Sequence, residues 1–202
     1  IGPFSLAARL TGVSEACELT ATDPDLMHVL LEKSVEMLTA YVSAFKAAGA
    51  SGVIMAEPAA GLLSPRSLAA FSSAYVRQIA AAVEDAGFNI VLHNCAARLL
   101  HLPAVLESGV KMCHFGAPMD MVAALAKAPQ DVILCGNLDP TGMFAQKSAP
   151  ELAHIVHTLL EATAAHPNFI ISSGCDLPAA VPLANLDAFY QAVANYSAHR
   201  RP

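Results

Sequence analysis

The stretch that decides the fold is Ile90-Val91-Leu92-His93-Asn94-Cys95, a short apolar run that ends in a histidine and a cysteine. A second apolar run covers residues 169–172 and leads through a glycine turn to Cys175. Imidazole and thiolate groups bind zinc well, and three protein ligands with an open fourth position form a catalytic type of zinc site. If both runs are neighbouring strands that end on the same face, the sequence predicts a zinc site of His93, Cys95 and Cys175.

The composition indicates one domain with a large core. The 202 residues are 55% hydrophobic and 14% charged, a balance that suits parallel strands buried under packed helices. No uncharged apolar run approaches the roughly 18 residues that a membrane span needs, so we expect no membrane partner. The net charge of −6 and the absence of Lys/Arg clusters argue against a nucleic-acid partner.

The cysteines and the first residues bear on where the protein works. Five cysteines are an odd number in a long chain without a secretory leader, so we expect reduced thiols and a cytoplasmic protein. The sequence begins with Ile1 rather than Met, and Gly2-Pro3 follows at once. We therefore expect it to be part of a longer protein.

Short apolar runs alternate with helical patterns along the chain. After a polar opening, a capping signal at 22–24 starts a helix that Gly49 stops, and its apolar stripe is Leu26, Leu30, Met37, Leu38, Tyr41, Val42 and Phe45. The later helices are predicted at 64–87, 98–107, 119–127, 148–167 and about 185–198. The strands are predicted at 53–57, 90–93, 110–115, 132–135 and 169–172, with a loop at 136–140.

Strict alternation of strand and helix predicts a parallel α/β sheet, because each crossover helix returns the chain to the same edge. The carboxyl ends of all strands then lie on the face where βα enzymes keep their active sites. Six candidate site residues follow a strand directly: Glu57, His93, Cys95, His114, Asp139 and Cys175. About five βα units are too few for a barrel of eight, so the chain is either an open sheet or the later part of a barrel.

Several motifs together resemble the uroporphyrinogen decarboxylase superfamily, and more narrowly its zinc-dependent branch, the methylcobamide:coenzyme M and related corrinoid methyltransferases. They are Gly2-Pro3-Phe4-Ser5-Leu6-Ala7, Glu57-Pro58 with Leu63-Ser64-Pro65, His93-Asn94-Cys95, Gly136-Asn137-Leu138-Asp139-Pro140 and Ser173-Gly174-Cys175-Asp176. The resemblance covers essentially the whole chain. It implies a (β/α)8 TIM-type barrel, of which residues 1–202 are the C-terminal three-fifths, without the N-terminal strands.

The same resemblance implies an activity and its cofactors. The zinc ligands of that branch fall on His93, Cys95 and Cys175, and decarboxylases proper lack this set. A methyl group would move from a methyl-corrinoid, free or on a corrinoid protein, to a small thiol bound on zinc. One departure is Ala96, where the family usually has glycine, so a Cβ is expected to shift the loop slightly.

The remaining candidates keep alternatives open. Glu57 either ends a strand or takes a substrate or proton role. His114 is a fourth metal ligand, a proton carrier or a histidine with satisfied hydrogen bonds. Asp139 is a turn former and helix cap or a site residue. Asp176 either holds the Cys175 loop or caps the turn.

Other cysteines and histidines are assigned to the core or the surface. Cys113 and Cys135 fall inside apolar strands and are expected in the core, while Cys17 has no evident partner. The histidines on predicted helices and turns are expected at the surface: His28, His101, His154, His157, His166 and His199.

Three functions remain open at this point. The first is the zinc-dependent methyltransferase, and the second is a metal-independent uroporphyrinogen decarboxylase. The third is a non-catalytic family member with structural zinc. The sequence also leaves an oligomer open.

Overall fold

Five parallel strands form one sheet in chain order, in a computed structural model that describes residues 1–199. The strands are β1 (Gly52–Ala56), β2 (Asn89–Asn94), β3 (Met112–Phe115), β4 (Ile133–Leu138) and β5 (Phe169–Ser173). Each strand pairs with its sequence neighbours, so β1 and β5 form the two edges of the sheet. The predicted α/β alternation with about five βα units is therefore confirmed.

Helices precede β1 and fill every crossover. They are α1 (Pro3–Thr11), α2 (Val13–Thr22), α3 (Pro24–Ala47), α4 (Pro65–Leu68), α5 (Ala74–Val83), α6 (Leu102–Leu106), α7 (Met121–Leu125), α8 (Ala149–Ala162) and α9 (Leu183–His199). A π-helical turn, Ala69–Ser73, joins α4 to α5, and another, Pro140–Ala145, follows β4. Shorter 3₁₀ turns, Pro58–Leu62 and Leu99–His101, follow β1 and precede α6. Among the helices of this described part, none combines the length and apolar character needed to cross a bilayer.

The two faces of the sheet are covered very differently. Successive side chains of a strand point to opposite faces, and residues paired in register share a face. On one face Ile90, Cys113 and Leu134 are fully buried under the helices. On the other face Ile54 is 71% exposed and Ile170 is 47% exposed. This second face is the concave side of a barrel-type sheet, and we call it the inner face.

The first 22 residues differ from the sequence prediction. They are not a polar opening but the helices α1 and α2, whose buried residues include Phe4, Ala7 and Ala16. Pro3 occupies the first turn of α1, where its missing N–H costs nothing. The partner that stabilises this helix start comes from β1, far away in sequence, and is described below.

The apolar stripe predicted for α3 is only partly buried. Its buried positions include Met27, Leu31 and Leu38, whereas Tyr41 is 57% and Phe45 is 42% exposed. Both exposed rings line a groove with Val53 and Ile54 of β1. The apolar face of α3 is therefore wider than the part that packs into the core. Tyr41 and Phe45 lie outside the core, beside the open edge of the sheet. The predicted cap is confirmed, since the Asp23 side chain accepts a hydrogen bond from the Leu26 N–H at 3.0 Å.

Strand β4 is longer than predicted. Its last residues, 136–138, were expected in a loop, but they pair in register with 171–173 of β5. Gly136 adopts φ of +130°, and a Cβ there would lie 2.4 Å from the Phe115 carbonyl oxygen of β3. The glycine that suggests a loop in the sequence is instead required by close packing of two strands.

Substitutions on the two sheet faces should differ strongly in cost. Ile90→Ala should lower the free energy of unfolding by about 2–5 kcal/mol, because it leaves a cavity in a closed core. Ile54→Ala, at a 71% exposed position, should cost no more than about 1 kcal/mol. Urea unfolding of both variants measures this difference. Equal costs would mean that the inner face is covered in solution.

Candidate metal centre

The site lies at the carboxyl ends of the strands, on the inner face. His93 and His114 are directly paired neighbours at the ends of β2 and β3, and Ala56 pairs with His93 from β1. Cys95 follows β2, and Cys175 follows β5 after one glycine. The Cys175 Sγ lies 3.7 Å from the His93 Nε2.

The strands that carry His93 and Cys175 are not neighbours, which corrects the sequence-based expectation. Strands β3 and β4 lie between β2 and β5. Three interstrand spacings on a flat sheet would separate the strand ends by roughly 14 Å. The 3.7 Å contact between Cys175 and His93 therefore depends on strong curvature of the sheet, with all strand ends leaning over the inner face.

Two glycines let the ligand-bearing turns approach each other. A Cβ on Gly116, just after β3, would lie 2.3 Å from the Cys95 carbonyl oxygen. A Cβ on Gly174 would lie 2.9 Å from the Ala117 backbone nitrogen. No side chain fits at either position without movement of backbone. Gly116 has no recognisable signal in the sequence, because the atoms that crowd it belong to another strand end.

The Cys95 turn is held by its neighbours. The Asn94 side-chain oxygen accepts a hydrogen bond from the Ala97 N–H at 3.1 Å, which closes the turn around Cys95. Ala96, the departure from the family pattern, packs against Gly61. A Cβ on Gly61 would lie only 2.7 Å from the Ala96 Cβ. The absence of a side chain at Gly61 thus makes room for the Ala96 methyl group.

The donor atoms form a set that suits zinc. The ligand atoms of His93, Cys95 and Cys175 all lie within 4.8 Å of one another. Tetrahedral zinc with ordinary Zn–S and Zn–N bonds requires donor separations of roughly 3.5–3.8 Å. The 3.7 Å separation of Cys175 and His93 is already in this range. One nitrogen and two sulfur donors can therefore hold a metal after small side-chain movements.

Burial is the largest cause of the pKa shifts of His93 and Cys95. Desolvation lowers the pKa of His93, the His114 ring lowers it further, and the exposed Asp176 carboxylate acts in the opposite direction. Burial, followed by the neighbouring Cys175, raises the pKa of the Cys95 thiol. His93 is thereby favoured as the neutral imidazole, the form that ligates metals.

Both ring nitrogens of His114 are engaged. Its Nδ1 lies 2.6 Å from the His93 Nδ1, and its Nε2 lies 2.9 Å from the Ser172 hydroxyl oxygen. Burial lowers the pKa of His114, and a hydrogen bond to the Ser173 backbone opposes this shift. His114 thus contacts the cluster of His93, Cys95 and Cys175 through His93. Ser172 is a member of the site that sequence reasoning missed.

The Glu57 carboxylate points into the protein and binds the start of α1. Its Oε1 accepts from the Phe4 N–H at 2.9 Å and from the Ser72 hydroxyl at 3.1 Å, and its Oε2 accepts from the Ser5 N–H at 2.7 Å. Desolvation of this fully buried group raises its pKa, while hydrogen bonds from Ser5, Phe4 and Ser72 partly offset that shift. A carboxylate at a helix N-terminus is favourable because it satisfies orphan N–H donors.

Asp139 lies where β4 gives way to the π-helical turn. Its Oδ1 accepts a hydrogen bond from the Thr141 N–H at 2.9 Å. A Cβ on Gly142 would lie 2.6 Å from the Asp139 Oδ2. The side chain therefore caps the turn that follows the strand, which is one of the two roles considered for it.

The other cysteines and histidines divide between core and surface. Cys113 and Cys135 are buried as predicted. His101 corrects the surface assignment, because it is 6% exposed, accepts from the Arg98 N–H and contacts the Leu63 carbonyl oxygen. His28 is half-buried, with its ring stacked on Phe71. His154 and His157 are exposed, His166 is half-buried, and the side chain of His199 lies outside the described residues.

The fold and the strand-end cluster define a protein of the βα-barrel type with a nitrogen and sulfur donor site at the catalytic end of the strands. Residues 1–196 match the family model described as uroporphyrinogen decarboxylase (URO-D). The chain belongs to the uroporphyrinogen decarboxylase family.

Individual relatives carry two different names. A uroporphyrinogen decarboxylase from Idiomarina loihiensis is 29% identical over 96% of this chain and 56% of its own length. A methylcobamide:CoM methyltransferase, MtbA, from Methanosarcina mazei is 25% identical over 97% of this chain and 57% of its own length. Decarboxylases form the majority of the named relatives. The chain spans about half the length of the curated relatives that it matches.

A solved structure supports the architecture. A methyltransferase from Methanosarcina mazei superposes with a TM-score of 0.86 at 21% identity, covering 97% of this chain and 57% of that one. The predicted TIM-barrel-type α/β fold is confirmed by this likeness and by the family match.

Zinc should protect two cysteines from alkylation. In metal-free native protein, iodoacetamide should label Cys17, Cys95 and Cys175. It should spare Cys113 and Cys135, because burial raises their thiol pKa values to about 12 and about 11. One equivalent of zinc should slow labelling of Cys95 and Cys175 at least about tenfold, since the metal binds the thiolate that reacts.

Peptide mass spectrometry follows each cysteine separately, and Cys17 serves as the internal control. Its labelling rate should be the same with and without zinc. Equal labelling of Cys95 and Cys175 in both conditions would contradict the metal assignment.

Removing one oxygen of Glu57 should destabilise the fold. Glu57→Gln places an amide NH₂ against a backbone N–H of α1, so one buried donor loses its acceptor, and the free energy of unfolding should fall by about 1–3 kcal/mol. Glu84→Gln is the matched control, because Glu84 uses a single oxygen to accept from the Ile90 N–H, and glutamine retains that acceptor. Urea unfolding compares the two. A loss no larger at Glu57 than at Glu84 would argue against the capping role.

Proposed function

We propose that the protein is a zinc-dependent methyltransferase that moves a methyl group from a methyl-corrinoid to a thiol bound on zinc. The observation that carries this proposal is the cluster of His93, Cys95 and Cys175 at the strand ends, whose donor atoms all lie within 4.8 Å of one another. The methyl donor would be free methyl-corrinoid or a corrinoid protein. The acceptor would be a small thiol.

The type and number of donors favour this chemistry. Thiolate and imidazole ligands select zinc among the common divalent metals of proteins, and three protein ligands leave one coordination position for a substrate. A substrate thiol is a natural soft ligand for that position. When bound, zinc would lower the thiol pKa and hold the sulfur as a thiolate.

The charges of the ligands favour a nucleophilic sulfur. Cys95 and Cys175, bound as thiolates, contribute two negative charges, and His93 is kept neutral by its burial. These charges balance the two positive charges of zinc. A third, substrate thiolate therefore carries the excess negative charge of the site, which keeps electron density on the sulfur that must attack the methyl group.

The accessibility of the ligands is compatible with a large methyl donor. Cys95 and Cys175 are half-buried, and they lie above the inner face of the sheet rather than under the helices. His93 is 9% exposed. The imidazole is thus shielded, while the sulfur side of the site faces the region that a substrate would reach.

Glu57, Asp139 and His114 were also candidates for catalysis. Their contacts favour structural roles rather than direct participation in the reaction. We propose that Glu57 organises the start of α1 and that Asp139 caps the turn after β4, because their carboxylates bind local backbone N–H groups. His114 contacts His93 and Ser172, and we propose that it acts through His93.

A uroporphyrinogen decarboxylase is the second candidate. It is favoured by the names of most relatives, which reach 29% identity. The decarboxylase reaction needs no metal, so the clustered thiols and imidazole would have no assigned task in it. Purely structural zinc is a weaker alternative, because structural sites are normally closed by four protein ligands, whereas the cluster within residues 1–199 has three.

The test is performed on the complete protein that contains this chain. Purified protein should carry one zinc, and mixing it with methylcobalamin and a panel of small thiols should bleach the methyl–cobalt absorbance. Cys95→Ser and Cys175→Ser should each lower the methyl-transfer rate at least about a hundredfold, because each removes a metal ligand. Cys17→Ser, outside the site, should leave the rate unchanged.

The same preparation is assayed for coproporphyrinogen formation from uroporphyrinogen. Metal-independent decarboxylation, together with no thiol methylation across the panel, would reject the methyltransferase in favour of the decarboxylase.

A further inference from the structure

We propose that His114 is a positioning residue that, with Ser172, holds His93 in the tautomer with hydrogen on Nδ1 and a bare Nε2. The inference rests on the proposed metal site, since a bare Nε2 is the form of His93 that can bind zinc alongside the two cysteines. It assigns a role to a histidine pair whose direct contact the sequence did not predict.

The contact between the two rings allows only two proton arrangements. The His93 Nδ1 and the His114 Nδ1 lie 2.6 Å apart, a distance that requires one hydrogen between them. If His93 supplies that hydrogen, its Nε2 is bare when the ring is neutral. If His114 supplies it, neutral His93 carries hydrogen on Nε2 and cannot ligate a metal there.

The hydrogen bonds of Ser172, on the far side of His114, decide between the two proton arrangements. The Ser172 hydroxyl lies 3.0 Å from the Ser173 carbonyl oxygen, and a carbonyl only accepts, so the hydroxyl donates its single hydrogen there. The Ser172 oxygen must then accept from the His114 Nε2–H, at 2.9 Å. A neutral His114 with hydrogen on Nε2 has a bare Nδ1, which accepts from the His93 Nδ1–H.

These hydrogen-bond directions therefore leave the His93 Nε2 without a hydrogen, next to the cluster with Cys95 and Cys175. The bare His93 Nε2 lies 3.7 Å from the Cys175 Sγ, and the donor atoms of His93, Cys95 and Cys175 all lie within 4.8 Å of one another. Histidine ligands of metals usually donate their other ring N–H to an outer partner, which fixes ring orientation and tautomer. Here that partner is a second imidazole, which is itself held by a serine.

Register places these groups together. His93 and His114 are direct partners of β2 and β3, and both project from the inner face. Ser172 lies one residue before the end of β5, close to the turn that carries Cys175. The same curvature that brings Cys175 to His93 therefore also brings Ser172 to His114.

The first experiment reads the tautomer directly in metal-free wild-type protein. Long-range proton–nitrogen NMR correlations of ¹⁵N-labelled histidines should show hydrogen on Nδ1 of His93 and on Nε2 of His114. Hydrogen on Nε2 of His93 would overturn the proposal. This readout does not depend on zinc binding or on methyl transfer, so failure of the proposed function would leave it intact.

The second experiment measures metal affinity in variants by competition with a chelating dye. His114→Leu removes the acceptor and should weaken zinc binding about 10–100-fold, the usual effect of losing such an outer partner. His114→Gln offers a side-chain oxygen to the His93 Nδ1–H and should recover part of the affinity. The thiolate-to-metal bands of Co²⁺-loaded His114→Leu should persist, because Cys95 and Cys175 still bind.

The controls separate positioning from general damage to the strand. Cys113→Ala alters the same strand on its opposite, helix-covered face, and it should bind zinc as tightly as the wild type. Ser172→Ala gives a second test if His114→Leu fails to fold, and its zinc affinity should fall less than that of His114→Leu because the Ser173 carbonyl remains. Wild-type affinity in every His114 and Ser172 variant that folds would reject the positioning role.

Discussion

The curvature of the five-stranded parallel sheet is the constraint on which the rest of the structure depends. His93 and Cys175 belong to strand ends with two strands between them, yet their side chains are 3.7 Å apart. Parallel strands twist and tilt by default, but this approach also requires backbone to pass close to backbone. Gly116 and Gly174 meet that requirement, since a Cβ at either position would overlap main-chain atoms of a neighbouring turn. The donor site is therefore a product of sheet geometry.

Two buried polar systems support the strand ends from opposite sides. On the helix side, the Glu57 carboxylate accepts from two backbone N–H groups at the start of α1. On the inner side, His93 and His114 join β2 to β3 and, through Ser172, to β5. A buried polar group is tolerated when its hydrogen bonds are complete, and complete networks specify one arrangement. Glu57 and the histidines thus restrict how the strand ends can sit.

Most features with local signals were predicted from the sequence, whereas contacts between remote residues were not. Strand–helix alternation and caps such as Asp23 follow from a few adjacent residues, and they are confirmed. Helix α1 was missed although its own sequence carries local signals, with Pro3 in the first turn and Phe4, Ala7 and Ala8 on one buried face. What its own sequence does not show is the partner of its first N–H groups, Glu57, which lies more than 50 residues away. His101 was placed at the surface since nothing nearby in sequence shows its contact with the Leu63 carbonyl. The proximity of His93, Cys95 and Cys175 was predicted from residue type and strand-end position. The Ser172 contact with His114 instead depends on the curvature of the sheet, which sequence periodicity does not show.

The sequential strand order has a consequence for assembly. Each strand pairs with the strands adjacent to it in sequence, so the sheet can grow unit by unit with short loop closures. His93 and Cys95 arrive with the second unit, whereas Cys175 arrives only with the fifth, 82 positions after His93. The donor set is incomplete until the last strand has docked. A metal that binds all three ligands would bind only the fully docked sheet, and by mass action it would shift the folding equilibrium towards that state. The ion would then cross-link the second and the last unit of the sheet.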